Sequence, residues 1–242
     1  DLGGKVNGGP LTARLLLDAS GDPPLLRLVE RGVLFSGARV THAAAAEMLT
    51  RLNPLFEQSA SPQGVMTLAL NEVSTPITAG ARAGTILSGT LSLKGLSFAP
   101  GGMLRRVLAL SERAEPARVY APDQNIAFEF RDGVLRHAPL TLRAGGVTLR
   151  TQASRRAEGS LDCRVEIPCT LDMVGRDRAL FERLKGEVFR LTIGGSAGAP
   201  EPDLKAFQED LAARIGAARL KMARERATEE LNRALDQIFR AE

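Results

Sequence analysis

Between Leu161 and Leu171 apolar and polar residues alternate without a break. Leu161, Cys163, Val165, Ile167, Cys169 and Leu171 are apolar, whereas Asp162, Arg164, Glu166, Thr170 and Asp172 are polar, with Pro168 alone on the second face neither charged nor hydroxylated. Side chains on a strand point to opposite faces with period two, so the stretch predicts a strand of roughly 35 Å at about 3.3 Å per residue, greasy on one face and wet on the other. Wound as a helix, the same residues would scatter apolar groups all around. Pro168 cannot donate to a ladder, which places it at an edge, a bulge, or a position whose amide faces away from the neighbouring strand.

The flanking sequence extends this pattern. Asn125 to Arg131 and Val134 to Leu142 enclose Asp132-Gly133, a hairpin dipeptide, and Gly145-Gly146 joins Leu140–Leu142 to Val147, Leu149 and Thr151. Ala157-Glu158-Gly159 then leads into Leu161, giving an antiparallel meander of four long strands. Further upstream, Thr12–Asp18, Leu25–Glu30 and Gly32–Val40 read as strands, and Met66, Leu68 and Leu70 mark another. Leu87–Leu93 alternates until the phase slips at Gly95, so that Leu96 and Phe98 continue on a shifted register, the expected mark of a bulge. A strand-then-helix echo links Gly32–Leu52 with Leu87–Leu108, without a fixed period.

Helices are expected near 42–53, where Thr41 can cap and Pro54 stops the run, and near 103–111 and 176–185. A long helix follows Asp203, with Leu204, Phe207, Leu211, Ile215, Ala218 and Met222 at helical spacing, a drift, and then Ala227, Leu231, Leu235 and Ile238. Its stripe either packs on the chain's own sheet or lies on a membrane surface or partner helix. The expected organisation is a Gly-rich, frayed segment over 1–10, one β-rich domain over 11–202, and a helix over 203–240 that packs on or caps the sheet. The fold class is mainly β with α: a long curled antiparallel sheet with short inserted helices and a long C-terminal amphipathic helix.

The supply of chemistry is thin. His42 and His137 stand apart with no metal-ligand spacing, no Gly-x-Ser-x-Gly elbow occurs, and Gly194–Gly198 lacks the Lys-Ser/Thr pair of a phosphate loop and reads as a plain loop. Cys163 and Cys169, on one strand face at a separation of ~20 Å, lie too far apart to bridge and read as small hydrophobes. A non-enzyme without metal or cofactor is expected. Of the 242 residues 4% are aromatic and none is Trp, so the apolar surface is aliphatic, suited to acyl chains or a core and poor at stacking bases. The net charge of +4 comes from arginines interleaved with acids rather than gathered in a stripe, which argues against nucleic acid. No stretch is apolar enough to span a bilayer, and the start at Asp1 is read as part of something longer.

One family shares this order of features. Ala121-Pro122-Asp123 before a strand, Phe130-Arg131-Asp132-Gly133-Val134, a Leu-rich hairpin, Gly159-Ser160-Leu161-Asp162 with Val165-Glu166-Ile167-Pro168, and Leu191-Thr192-Ile193-Gly194-Gly195 leading to Pro200-Glu201-Pro202-Asp203 together resemble the C-terminal region of AsmA-like proteins. These are relatives of TamB and of the wider bridge-like lipid transfer group. Where members typically carry a Gly-Thr pair after the last strand, this chain has Gly194-Gly195-Ser196. The resemblance implies a curled sheet whose apolar inner face cradles acyl chains, and a periplasmic protein tethered to the inner membrane by a segment outside this chain.

Two functions follow as expectations. The first is a non-catalytic lipid-binding or lipid-transfer module of the bacterial envelope, contacting phospholipid or another acyl-chain lipid through Leu161, Cys163, Val165, Ile167, Cys169, Leu171, Val147, Leu149, Leu91 and Leu93, with aliphatic contact contributing about 0.8 kcal/mol per buried methylene. The alternative is a β-rich envelope scaffold or protein-interaction domain with a closed core and no lipid. The two differ in whether the apolar face retains room once the helices have packed.

Overall fold

The computed structural model describes residues 2–41, 45–78, 84–111, 116–196 and 198–240. Among these residues fifteen strands form one sheet: β1 (Leu2–Val6), β2 (Gly9–Ala13), β3 (Leu15–Asp18), β4 (Leu25–Leu28), β5 (Gly32–Arg39), β6 (Ala60–Pro76), β7 (Ile86–Ala99), β8 (Val119–Ala121), β9 (Gln124–Arg131), β10 (Val134–His137), β11 (Leu140–Ala144), β12 (Val147–Arg156), β13 (Leu161–Pro168), β14 (Val188–Ser196) and β15 (Ala199–Pro202). All the paired strands run antiparallel. The short strands are mostly halves of longer ones. β8 and β9 lie end to end along β7, and β10 and β11 continue the next layer between them and β12, so the sheet is a meander broken at Pro122-Asp123 and Ala138-Pro139. The proline in each break removes a ladder donor.

The fold class expected from the alternation is the one observed. The Asp132-Gly133 hairpin forms with both residues at positive φ (52° and 71°), the pattern of a type I′ turn. The β6–β7 register shifts between Gln63/Ser97 and Val65/Lys94, inserting one extra residue beside Gly95, whose φ is 58°.

Four expectations need correction. Of the segment expected to fray over 1–10, Leu2–Val6 and Gly9-Pro10 are paired: Val6 sits opposite Gly9 across Asn7-Gly8, another hairpin dipeptide, and β2 reaches the sheet through Leu11 opposite Phe35. The strand begun at Leu161 ends at Pro168. The Cys169 amide still donates to Glu187 O (2.9 Å), but Leu171 and Asp172 enter a turn in which Arg176 N donates back to Leu171 O. The helix expected over 42–53 is a π turn (Ala45–Leu49) running into α1 (Thr50–Leu52), with His42 to Ala44 outside the described residues. Finally, Gly194 to Ser196 belong to β14 and Ala199–Pro202 forms an edge strand, so that stretch is a hairpin whose described part holds Gly195 at positive φ. Asp203 N donates to Thr192 O (2.8 Å), which by alternation turns the Pro200 and Pro202 nitrogens outward, where an edge tolerates them.

The helical segments gather on one face of the sheet. A 3-10 turn (Pro54–Phe56) stacks Phe56 on Phe98 with ring centroids 5.2 Å apart. Helix α2 (Gly102–Ala109) buries Met103, Leu104, Val107 and Leu108, and α3 (Arg178–Leu184), capped by the Asp177 carboxylate on Leu180 N, buries Leu180 and Leu184. Helix α4 (Leu204–Arg240) starts at an Asp203 cap on Ala206 N (3.0 Å). Its Phe207 edge meets Phe189 at 6.3 Å, Arg214 lies 5.2 Å over the Phe189 ring, and Leu211, Ile215, Ala218 and Met222 follow along the same stripe. Beyond Met222, at the drift in the apolar spacing, apolar contact ends, and a pair between Glu225 and Arg183 of α3 follows it. Residues 223 to 237 are all exposed, and Leu231 is 60% so.

The two halves of α4 therefore carry different weight. Phe207→Ala removes a ring that is 2% exposed and costs about 3–5 kcal/mol. Ending the chain after Pro202 exposes the β14 face and drives aggregation, whereas ending it after Ala223 removes only the partly exposed Arg183–Glu225 pair and costs at most about 1 kcal/mol. Urea midpoints and size-exclusion profiles of the three variants check this, and a monodisperse fragment ending at Pro202 would contradict the packing role.

Candidate functional site

Register pairing fixes which side chains share the helix-bearing face. Leu93 lies opposite Met66, Leu91 opposite Leu68 and Ile126, and Gly89 opposite Leu70 and Phe128. On the far side, Ala153 faces Cys163, Thr151 faces Val165, Cys163 faces Ile193 and Ile167 faces Phe189. Opposed residues in an antiparallel pair stand on one side, so these form one continuous inner face.

Most residues expected to touch lipid are sealed on that face. Cys163, Val165, Ile167 and Leu149 are 0% exposed, Leu93 1%, Val147 2%, Leu91 3% and Cys169 8%. Only Leu161 and Leu171 are half-buried, and both pack against the core. The expectation of an open face at these positions is therefore corrected: the helical segments and the first half of α4 fill the space opposite them.

The thiols are unpaired, as the strand geometry requires. Burial pushes the Cys163 thiol up to about 11, against a weaker opposing contact from Thr151 Oγ1 at 3.5 Å, and burial also raises Cys169, with Glu187 adding to the rise. Neither is poised as a nucleophile.

Beneath the helical segment lies a polar cluster that spacing in the sequence did not reveal. His137 Nε2 accepts from Ala153 N (3.0 Å) and from Asn53 Nδ2 (3.2 Å), while Nδ1 faces Ala138 O at 2.6 Å, which assigns the ring proton to Nδ1. Asn53 Nδ2 also donates to Thr151 Oγ1 (3.0 Å), and Asn53 Oδ1 accepts from Leu55 N (3.0 Å). All three side chains are buried and satisfied, so His137 is a structural clamp between the 3-10 turn and the sheet. Among the described residues no three His, Cys, Asp or Glu side chains are grouped as a metal would need.

The inner face continues past the core to a second region. Leu15 pairs with Leu28; Arg27 opposite Ser74 places Leu28 beside Val73; Val73 pairs with Leu87, Leu87 with Phe130, Phe130 with Leu135, Leu135 with Arg155 and Arg155 with Leu161. These eight residues on eight strands are all half-buried. Seven inter-strand gaps of about 4.8 Å give the row roughly 34 Å measured along the sheet. At its Leu28 end, β2 parts from β5 around a cleft of about 360 Å³ lined by Thr12, Arg14, Glu30 and Arg31 as well as by Leu28, Leu34 and Leu70. Leu17, 58% exposed and opposite Leu26, extends the apolar surface outward. Alternation in each strand marks these residues as inward-facing, but only the pairing of distant strands makes them one row.

Comparison with known proteins returned no match: no family model, curated protein or solved structure is similar to this chain. Among the described residues, no helix is long and apolar enough to cross a membrane.

Burial holds the His137 pKa below its ordinary 6.5, against the opposing bond to Ala138 O. The unfolded chain therefore binds the extra proton first. Stability is complete above 6.5, falls as pH drops from 6.5 toward the folded value, and changes by at most about 1.4 kcal/mol per pH unit for one proton. Urea titrations at pH 5.5 and 7.5 should show a smaller difference for His137→Gln than for the parent, and an equal one would remove His137 from the linkage. In parallel, iodoacetamide should modify neither thiol at pH 8 until denaturant is added.

Proposed function

We propose that the chain is a non-catalytic lipid-handling module that holds acyl chains against the open end of its inner face, with the other end sealed by its own helices. The observation that supports this is the half-buried row Leu15, Leu28, Val73, Leu87, Phe130 and Leu135, which lies beside a packed core without being part of it. A ligand that covers the part of this row left to water recovers roughly 25 cal/mol per Å² of apolar surface. The resemblance to AsmA-like sequences points the same way, and with it comes the proposal of a periplasmic setting and a membrane tether outside this chain.

A second reading draws on the other end of the sheet. The residues first expected to line a groove form a closed core, which suits an envelope scaffold that binds protein alone. One pair of substitutions separates the two. Val165→Glu buries a carboxylate at a position with 0% exposure and should unfold the protein, the cost being several kcal/mol against a usual total of about 5–15. Leu87→Glu places the same group where water reaches it, so the fold persists while bound lipid is lost. Circular dichroism and mass spectrometry of solvent-extracted lipid, run on parent and variants, decide between them; a parent without lipid after exposure to phospholipid vesicles favours the scaffold.

A further inference from the structure

We infer that Arg155 selects the head of the ligand, so that the open row takes an anionic phospholipid with its phosphate on the Arg155 guanidinium and its acyl chains running over Leu135, Phe130 and Leu87. The inference rests on the lipid reading above and goes beyond it by naming the ligand's charge and direction.

Three observations carry it. Arg155 interrupts an otherwise apolar row, between Leu135 on β10 and Leu161 on β13, and is itself half-buried. Acids on the surrounding strands and turns are already engaged: Glu72 and Glu129 with Arg131, Glu158 with Arg156, Asp162 with Arg164. The Arg155 guanidinium has no hydrogen bond or ion pair among the described residues. A guanidinium carries five donors in a planar fork that fits a phosphate through two parallel bonds, and at a half-dry site such a group is costly to leave without an acceptor.

Position gives direction. Six apolar residues lie on the Leu135 side of Arg155, and one, Leu161, on the other. Half of a hydrocarbon core about 30 Å thick, the depth of one acyl chain, is roughly 15 Å. Three strand gaps from Arg155, about 14 Å, reach Leu87, so a chain anchored at Arg155 lies over Leu135, Phe130 and Leu87 and leaves Leu15 uncovered.

The test uses the full chain incubated with vesicles of equimolar dioleoylphosphatidylglycerol and dioleoylphosphatidylcholine, re-isolated, and its bound lipids quantified by mass spectrometry. The parent should enrich the anionic lipid about tenfold, the ratio given by about 1.4 kcal/mol of charge-assisted bonding. Arg155→Met should bind the same total amount at a ratio near one, and Leu87→Glu should bind neither. If Arg155→Met loses its circular dichroism signal, Arg155→Gln carries the same comparison. A folded Arg155 variant that keeps the parental ratio overturns the inference while leaving the lipid reading intact, as does a parent without preference. A parent that binds no lipid overturns both.

Discussion

Every element of this chain answers to one constraint: a meander of long strands with one apolar face must cover that face or leave it to water. Strand pairing alone cannot do so, because hydrogen bonds run in the plane of the sheet and the apolar side chains stand out of it. Cover comes from segments inserted where one strand hands over to the next. The helical turns between β5 and β6, α2 between β7 and β8, α3 between β13 and β14, and α4 after β15 supply the opposing surface. Each contributes a few aliphatic residues, among them Leu49, Leu55, Leu104, Val107 and Leu180, none more than 1% exposed. The cover reaches the part of the sheet centred on Leu93, Leu149 and Val165 and stops short of Val73, Leu87 and Phe130.

Polar chemistry fixes where that cover sits. An aliphatic helical segment could slide over an aliphatic sheet at small cost, since methyl contacts are not directional. The Asn53, His137 and Thr151 cluster is directional: displacing the 3-10 turn would strand several buried donors and acceptors, each costing about 1–3 kcal/mol. One buried histidine thus places the segment, at the expense of sensitivity to acid.

The sequence disclosed the direction of each side chain far better than its surroundings. Leu161 and Cys163 occupy the same face by the same alternation, yet one is half-buried and the other wholly enclosed, because what stands opposite is set by residues far away in the chain. Local rules worked where the cause was local, as at Asp132-Gly133, at the Gly95 bulge and at the Asp203 cap. The drift after Met222 marked the point where α4 leaves the core. The Asn7-Gly8 hairpin was readable by the same rule but was masked by the glycine content around it. His137 and Asn53 are 84 positions apart, and Val73 meets Leu28 through pairing between strands that are not neighbours in sequence, so neither juxtaposition had a signature in spacing.

The two prolines of β15 have an effect on assembly. An edge strand normally offers a row of unused amides to any extended segment that passes, the route by which sheets join and grow. With their nitrogens turned outward, Pro200 and Pro202 remove donors from that row, and α4 departs immediately after it. Templated addition along this margin is therefore blocked by composition, and a polymer of such sheets would have no way to propagate through β15.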